Sequence, residues 1–445
     1  MKKYLVLVCI ISAALSSCAQ NVPEKIDTLL TAFEKQEAFS GSVLVARAGT
    51  VLFEKGYGFK NKKQNTRNDS NTIFQIGSIT KQFTSAIILQ LAEKNQLSLQ
   101  DKLSKYIPDY PHGDQITIEH LLTHTSGVYN YTNDGGFMKN SAYTPIRRDS
   151  LIALFKNKPL DFQPGDKFNY SNSGYILLGY IIEKVTGKPY FQVVRERIFQ
   201  PLHMDHSGFD FTDLVSPDKA IGYMPAADAD VPAPIVDSSV SFAAGAIYTT
   251  PGDLYKWDRA LYTGRIITPA SRQKAFTPHL SKYGYGWSID SAYGKKIVEH
   301  GGGITGFVSF ILRVPEDQTC VIVFDNHPSP APPGQIAAEI NALLNGKPYN
   351  IPQITLRPDT TVLRQYVGQY QLAPGFILTI SLENGSLMSQ ATGQGKAELF
   401  AKKENFFFLK VVDAQVEFIK GADNKVEKLI LHQNGQLVTG NKINE

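Results

Sequence analysis

The composition of this 445-residue chain is that of a globular protein. Hydrophobic residues make up 42% of it and charged residues only 19%, which excludes a disordered or collagen-like chain. Its 45 lysines and arginines nearly balance its 41 aspartates and glutamates, for a net charge of +4, and they form no basic cluster. The charge pattern argues against nucleic-acid binding, and the length predicts two or three domains.

The first 18 residues have the pattern of a bacterial export signal. Lys2 and Lys3 precede an apolar run at 4–15 that is too short to cross a membrane stably. The stretch from Leu15 to Cys18 resembles a lipoprotein signal, in which the cysteine is lipid-modified and becomes the new N-terminus. We therefore expect a signal peptide at 1–17, lipidation of Cys18 and a tether at 18–23. The protein would then be exported and anchored in the bacterial outer membrane, facing the periplasm or the surface.

An ordinary cleavage site with an incidental cysteine is the alternative, and an unmodified Cys18 in the mass of the mature protein would favour it. Cysteine usage otherwise excludes a disulfide framework. Cys9 leaves with the signal, and Cys320 lies in an apolar run. Cys320 is therefore predicted to be a buried small side chain.

Residues 24–345 are predicted to form one α+β domain, in which an antiparallel sheet is flanked by helices. Apolar and alternating runs indicate strands at both ends of this range, with apolar helical stripes between them. The strands are expected at 41–47, 51–55, 297–299, 307–314 and 320–324, and the helices at 79–91 and 176–185. The first two strands would turn at Gly49, and a glycine-rich turn would join those at 297–299 and 307–314.

The sequence changes character near residue 345. A proline-containing stretch at 346–358 is predicted to be a linker. Short alternating runs follow over 359–445, separated by turn signals such as Asn-Gly at 384–385. This tail is predicted to be a small all-β domain without a catalytic constellation.

A serine and a lysine three residues apart open the first predicted helix. Ser78 and Lys81 would share one helical face. A serine hydroxyl needs an adjacent base to become a nucleophile, and a lysine can be that base when burial or a neighbouring positive charge lowers its pKa. Two further Ser-x-x-Lys sequences, at 216–219 and 271–274, do not open an apolar helix, so Ser78 is the predicted nucleophile.

Two more polar motifs follow in the chain. Tyr170 and Asn172 precede the second helix; a tyrosine can relay protons beside a cation, and an asparagine can orient an amide. A similar Tyr-Thr-Asn at 131–133 lies in a polar segment with no apolar helix after it and is set aside. His300 begins the run His-Gly-Gly-Gly at the end of a strand, where glycines let a substrate backbone approach.

In this order, the three motifs resemble those of the serine β-lactamase and penicillin-binding-protein superfamily. Tyrosine in the second motif points to the branch that includes class C β-lactamases, D-amino-acid peptidases and esterases. The stretches at 116–127 and 243–250 look like that branch too. The resemblance covers residues from about 24 to 345 and implies the β-lactamase/transpeptidase-like fold. The tail resembles the lipocalin-like domain that such hydrolases often carry.

The resemblance implies a role for each catalytic side chain. Ser78 would be acylated, Lys81 would be its base partner, and Tyr170 would carry protons between the nucleophile, the leaving group and the deacylating water. No cofactor is implied. The substrate would be a small peptide, ester or lactam, and the oligomeric state stays open.

The resemblance also implies the groups that bind substrate. Asn172 would hold the lysine and the substrate amide, and the backbone N–H groups of Ser78 and Gly303 would form the oxyanion hole. Gly302 and His300 would complete this surface. β-Lactamases have a lysine at the position of His300, and a histidine is only partly charged near neutral pH. We therefore favour a peptidase or amidase acting on D-amino-acid-containing peptides, with a carboxylesterase or a class C-like β-lactamase as alternatives.

A metal site and an inactive sensor are two alternatives to a serine hydrolase. His120 and His124 are four residues apart and could share a helical face as metal ligands, but the glutamate precedes the first histidine instead of following it as zinc proteases require. Structural hydrogen bonds are expected for both, and no metal. An inactive penicillin-binding-like sensor is the non-enzyme alternative, against which the intact Ser78, Lys81 and Tyr170 argue.

Overall fold

The computed structural model describes residues 22–225, 230–327, 331–351, 358–383, 385–409, 411–412, 414–433 and 435–444. The predicted signal peptide, Cys18 and most of the tether lie outside these residues, as does 352–357 of the linker, so those predictions stay open. The chain divides into two compact units between residues 350 and 351. No helix within the described residues is both long and apolar enough to cross a membrane.

The first unit consists of helices, one six-stranded sheet and several short strand pairs. The helices are α1 (Val22–Lys35), α2 (Thr80–Glu93), α3 (Ile118–Leu122), α4 (Gly135–Asn140), α5 (Arg148–Lys156), α6 (Asn172–Thr186), α7 (Tyr190–Val194), α8 (Ser238–Gly245), α9 (Pro251–Thr263), α10 (Pro269–Ala275) and α11 (Pro333–Leu344). The strands are β1 (Gly41–Arg47), β2 (Thr50–Tyr57), β3 (Phe59–Asn61), β4 (Thr66–Arg67), β5 (Phe74–Gln75), β6 (Tyr223–Met224), β7 (Val231–Pro232), β8 (Tyr248–Thr249), β9 (Ser288–Ala292), β10 (Lys295–Ile304), β11 (Phe307–Val314) and β12 (Thr319–Asp325).

The main sheet joins the two ends of this unit. Its strands are antiparallel in the order β2-β1-β12-β11-β10-β9. Strand β1 lies between β2 and β12 and is buried on both faces: Val43 and Val45 face α1 and α11, whereas Leu44 and Ala46 face the helices between the strands. Burial on both faces explains why β1 is a continuous apolar run. The predicted α+β fold is confirmed, and Cys320 is a buried free cysteine in the core.

The prediction of a glycine-rich turn directly after residue 299 is wrong. Strand β10 continues to Ile304, and the chain turns at Gly306, whose φ of 82° suits glycine. Strand β9 pairs with β10 only up to Glu299, so from His300 onward β10 has no sheet neighbour on that side among the described residues. The three glycines therefore lie on an open strand edge and not in a turn.

The second unit is a closed barrel. It begins with α12 (Thr360–Arg364), where the sequence predicts strand, and continues with the strands β13 (Gly368–Ala373), β14 (Phe376–Glu383), β15 (Ser386–Ala391), β16 (Ala397–Lys403), β17 (Phe406–Leu409), β18 (Ala414–Lys420), β19 (Val426–Gln433) and β20 (Gln436–Asn444). Neighbouring strands pair in chain order, and β13 pairs with β20 to close the barrel. Its core stacks Tyr366 on Phe418, with ring centroids 4.4 Å apart. The predicted all-β tail is confirmed.

The contact between β10 and the turn before α2 gives the first prediction. A Cβ on Gly302 would lie 2.0 Å from the Ile76 carbonyl oxygen and 2.4 Å from Ser309 Oγ, whereas a Cβ on Gly303 would meet no atom within 4 Å. We expect Gly302→Ala to lower the free energy of unfolding by about 2 kcal/mol or more, because backbone must move. Gly303→Ala is the matched control, with an expected change within about 0.5 kcal/mol. Chemical denaturation would measure both, and equal stabilities would contradict the close approach.

Candidate active site

Ser78 stands on a tight turn where the sheet meets α2. It occupies the middle of a 3₁₀ turn, Gly77–Ile79, that runs directly into α2. Gly77 has a φ of +48°, and a Cβ there would lie 2.8 Å from the backbone nitrogen and oxygen of Gly303. Only glycine fits both the conformation and the space. The turn therefore places the Ser78 hydroxyl beside the open edge of β10.

The Lys81 ammonium is fully buried and has three hydrogen-bond acceptors. Its Nζ donates to Ser78 Oγ at 3.0 Å, to Asn172 Oδ1 at 2.8 Å and to the Ala244 carbonyl oxygen at 2.8 Å. Burial lowers the pKa of Lys81 well below its ordinary value. A lysine that loses its proton in this position can accept the proton of Ser78 across the same short contact.

The third acceptor depends on an unusual backbone conformation. Phe242 in α8 has φ 38° and ψ −130°, which is rare for any residue with a side chain. Beyond this break, the Ala243 carbonyl accepts from Thr84 Oγ1 at 2.7 Å and the Ala244 carbonyl accepts from Lys81. Gly179 of α6 makes room for the Phe242 ring, since a Cβ there would lie 2.4 Å from it. The strain therefore turns two successive carbonyls towards α2.

Asn172 links Lys81 to a loop that the sequence analysis set aside. Its Oδ1 accepts from Lys81, its Nδ2 donates to Thr132 Oγ1 at 3.1 Å, and its backbone N–H donates to Asn130 Oδ1 at 3.1 Å. Thr132 belongs to the Tyr-Thr-Asn sequence that was set aside as a polar segment with no apolar helix after it, and both Tyr131 and Thr132 line the cavity beside Ser78. No local pattern marks these residues, because their role arises from tertiary contact with α6.

Tyr170 is partly buried beside the lysine, and its hydroxyl oxygen is fully buried. Lys81 Nζ lies 4.8 Å from the centroid of its ring. Burial raises the pKa of the Tyr170 hydroxyl, and the adjacent Ser78 side chain opposes this rise. No hydrogen bond of regular geometry joins the Tyr170 hydroxyl to Ser78 or to any other described residue. The phenol is therefore protonated near neutral pH, with its hydroxyl available to the reacting groups.

His300 is neutral and does not line the cavity. Its Nδ1–H donates to the Gly301 carbonyl at 2.6 Å, and its Nε2 accepts from the Tyr283 hydroxyl at 2.8 Å. Burial, together with the positive charge of Lys81, lowers the pKa of His300 to about 4. The partial charge expected from the sequence is thus absent near pH 7. Gly302 packs against Ile76, so Gly303 is the glycine of this run that lines the cavity.

The cavity beside Ser78 has a volume of about 100 Å³ and a mostly apolar lining. The side chains of Tyr131, Met138, Val236, Val240 and Ile304 form much of its wall. Its polar lining groups are uncharged hydroxyls, amides and backbone, and none of the described residues that line it carries a charged side chain.

The two histidines considered as metal ligands make structural hydrogen bonds. His120 Nδ1 accepts from the Thr117 N–H at 3.3 Å and completes a capping box at the start of α3. His124 Nδ1 accepts from the Ser171 N–H at 3.2 Å. Within the described ranges, no three His, Cys, Asp or Glu side chains come close enough to hold a metal ion.

Comparison with known proteins is decisive at the level of the family. Residues 26–345 match the family described as Beta-lactamase. The chain belongs to this family of β-lactamase-fold serine hydrolases, which includes penicillin-binding proteins and D-amino-acid amidases. Residues 354–441 match a second family, described as a domain of unknown function (DUF3471).

Three relatives illustrate the likeness. The chain is 30% identical to penicillin-binding protein 4* of Bacillus subtilis, over 94% of this chain and 98% of the relative. An octameric penicillin-binding protein homologue from Pyrococcus abyssi has a TM-score of 0.68 and 26% identity, covering 94% of this chain and 99% of that one. A D-stereospecific amidohydrolase from Streptomyces sp. has a TM-score of 0.61 and 26% identity, covering 71% and 99%.

The neutral state of His300 predicts how stability depends on pH. A pKa of about 4 in the folded state, against 6.5 when the side chain is unperturbed, corresponds to roughly 3 kcal/mol. Because the folded-state pKa is the lower one, this contribution is complete above pH 6.5 and is lost progressively as the pH falls to 4. We expect His300→Gln to flatten the fall in the free energy of unfolding between pH 6.5 and 4.5.

Urea denaturation at a series of pH values would measure this slope. The exposed His206 offers a matched control, and His206→Gln should keep the wild-type slope. An unchanged slope in His300→Gln would show that the imidazole is not held neutral.

Proposed function

We propose that this protein is a serine hydrolase that cleaves amide bonds through an acyl-enzyme on Ser78, acting on peptides or amides that contain D-amino acids. The observation that carries the proposal is the fully buried Lys81 amine, 3.0 Å from Ser78 Oγ. A serine nucleophile needs an adjacent base, and burial lowers the lysine pKa in the direction that a base requires.

The geometry supports a mechanism in which each group has one task. Neutral Lys81 takes the Ser78 proton as the oxygen attacks the substrate carbonyl, and Tyr170 passes a proton to the leaving amine. Acylation leaves a Lys81 ammonium beside a Tyr170 phenolate. Water then attacks the acyl-enzyme and gives its proton to Tyr170, while Lys81 returns its proton to Ser78. As the family resemblance implies, the backbone N–H groups of Ser78 and Gly303, two residues that line the cavity, would form the oxyanion hole, and such a donor typically contributes about 3 kcal/mol.

The electrostatics of the site favour a substrate that is uncharged near the scissile bond. Penicillins and carboxypeptidase substrates carry a carboxylate there, which a cation would bind. Here His300 is neutral and its ring nitrogens are engaged with Tyr283 and Gly301, and no charged side chain lines the described cavity wall. The likeness to a D-stereospecific amidohydrolase supports D-amino-acid amides as the first substrates to test.

An acylation experiment tests the nucleophile. The protein would be mixed with the p-nitrophenyl ester of N-acetyl-D-phenylalanine, and acid-quenched samples weighed by intact-mass spectrometry while nitrophenolate release is followed. We expect one acyl group per chain and a burst of nitrophenolate for the wild type, and neither for Ser78→Ala, because the acyl group would be held on Ser78.

Ser216→Ala is the matched control, since Ser216 has the same spacing to a lysine but does not line the cavity. It should behave as the wild type does. An adduct of equal amount on Ser78→Ala would contradict the assignment, and no adduct on any form would favour an inactive sensor.

A pair of substrates tests the preference for uncharged groups. We expect kcat/KM for N-acetyl-D-phenylalanine amide to exceed that for N-acetyl-D-phenylalanyl-D-alanine, which ends in a free carboxylate, by at least about tenfold, because no cation compensates the desolvated charge. Liquid chromatography of the released products would measure both rates. Preference for the carboxylate substrate would contradict the proposal, hydrolysis of the ester alone would indicate an esterase, and rapid turnover of a penicillin would indicate a β-lactamase.

A further inference from the structure

His124 accepts hydrogen bonds from the two residues that flank Tyr170 in the chain. The Asn169 N–H donates to the His124 carbonyl oxygen at 2.9 Å, and the Ser171 N–H donates to His124 Nδ1 at 3.2 Å. The imidazole also lies against the phenol ring, with centroids 4.2 Å apart and an angle of 36° between the planes. His124 therefore holds three parts of this segment through its side chain and its backbone carbonyl: the residue before Tyr170, the residue after it, and the Tyr170 ring.

Two more backbone hydrogen bonds join the irregular segment that follows His124 to the irregular segment that precedes Tyr170. The Thr125 carbonyl accepts from the Gly165 N–H at 2.8 Å, and the Gly127 carbonyl accepts from the Asp161 N–H at 2.8 Å. Neither segment belongs to a sheet or to a helix. Tyr170 thus lies just before α6, in a stretch without the hydrogen-bond ladder of regular structure, and its position depends on these cross-links.

The hydrogen bond from Ser171 requires an unprotonated Nδ1 on His124. Burial is the main cause that holds the pKa of His124 well below its ordinary value. The neutral ring then carries its proton on Nε2, which is buried without a protein partner. A protonated ring would present N–H to N–H at Ser171 and break the contact.

The backbone at His124 is strained as well. Its φ of +57° lies in the left-handed region, which glycine and asparagine adopt far more readily than other residues. Such conformations persist where the surrounding structure enforces them, often at functional sites. The chain thus keeps a histidine where glycine or asparagine would be easier for the backbone.

From this geometry we infer that His124 is a positioning residue, which fixes the Tyr170 hydroxyl beside Ser78 and Lys81 through the two backbone hydrogen bonds and the ring contact. The inference rests on the proposed function, because it assigns His124 a part in the proton transfer that Tyr170 performs. His124 does not line the cavity, so it should affect turnover more than substrate binding.

Two variants that both tolerate the positive φ of position 124 test the inference. Glycine and asparagine both accept the positive φ, but only asparagine retains a side-chain acceptor near the Ser171 N–H. We expect His124→Gly to lower kcat by about 10- to 100-fold with KM within about threefold, and His124→Asn to recover a clear part of that loss. His120→Asn is the matched control in the same segment and should keep the wild-type kcat.

A double-mutant cycle separates positioning from a general loss of structure. On a Tyr170→Phe background, His124→Gly should cause little further loss, because the hydroxyl that it positions is already absent. An equal loss on both backgrounds, an effect confined to KM, equal kcat for His124→Gly and His124→Asn, or wild-type kcat in both would overturn the inference.

Turnover of the wild type and of Ser78→Ala is measured in the same experiment, so that failure of the His124 inference can be distinguished from failure of the proposed function. Wild-type turnover that Ser78→Ala abolishes supports the proposed function whatever the His124 variants do. Absence of turnover in the wild type would overturn both. Thermal unfolding and the burst amplitude with the nitrophenyl ester would show whether a variant is folded, and a His124→Gly protein with a normal unfolding transition but slow turnover is the expected result.

Discussion

The structure of the first unit depends on holding a lysine amine where water cannot reach it. A buried ammonium is costly unless hydrogen bonds compensate it, and three separate elements supply acceptors to Lys81: the turn carrying Ser78, the first residue of α6, and the Ala244 carbonyl at the end of α8. Helices α2, α6 and α8 must therefore converge on one point. The strained backbone at Phe242 is the local cost of that convergence.

The second constraint is the close approach of the sheet to this helical cluster. At Gly77 and Gly302 a side chain would overlap the opposing backbone, and Gly303 leaves its side of β10 open. Because β9 ends its pairing at Glu299, the strand edge beside Ser78 has no further sheet partner on that side within the described part of the chain, and under the proposed function an extended substrate would pair with it as an added strand. The proposed catalytic groups thus lie where the sheet meets the helices, with Ser78 beside the open edge of β10.

Much of this could be predicted from the sequence, because some of the features are local. The Ser78–Lys81 spacing is a property of one helix, and the paired terminal strands follow from their apolar runs. The contacts of Thr132, Ala244 and His124 could not be predicted, since each arises where distant segments meet. The glycine run after His300 was taken for a turn because glycine allows both a turn and a close approach of extended chain, and only the packing against Ile76 distinguishes them.

Under the proposed function, a histidine at position 300, where β-lactamases have a lysine, affects the base as well as substrate recognition. A lysine there would place a second positive charge near Lys81 and would help to lower its pKa. With His300 neutral at a pKa of about 4, the pKa of Lys81 is lowered by burial alone. That burial comes in part from the rings of Tyr170 and Tyr175, whose centroids lie 4.8 Å and 5.3 Å from the amine nitrogen. Closure of the cavity by an apolar, uncharged substrate would strengthen this effect, whereas a bound carboxylate would favour the protonated amine. Under the proposed function, a neutral His300 thus both favours uncharged substrates and leaves burial to keep Lys81 able to accept the Ser78 proton.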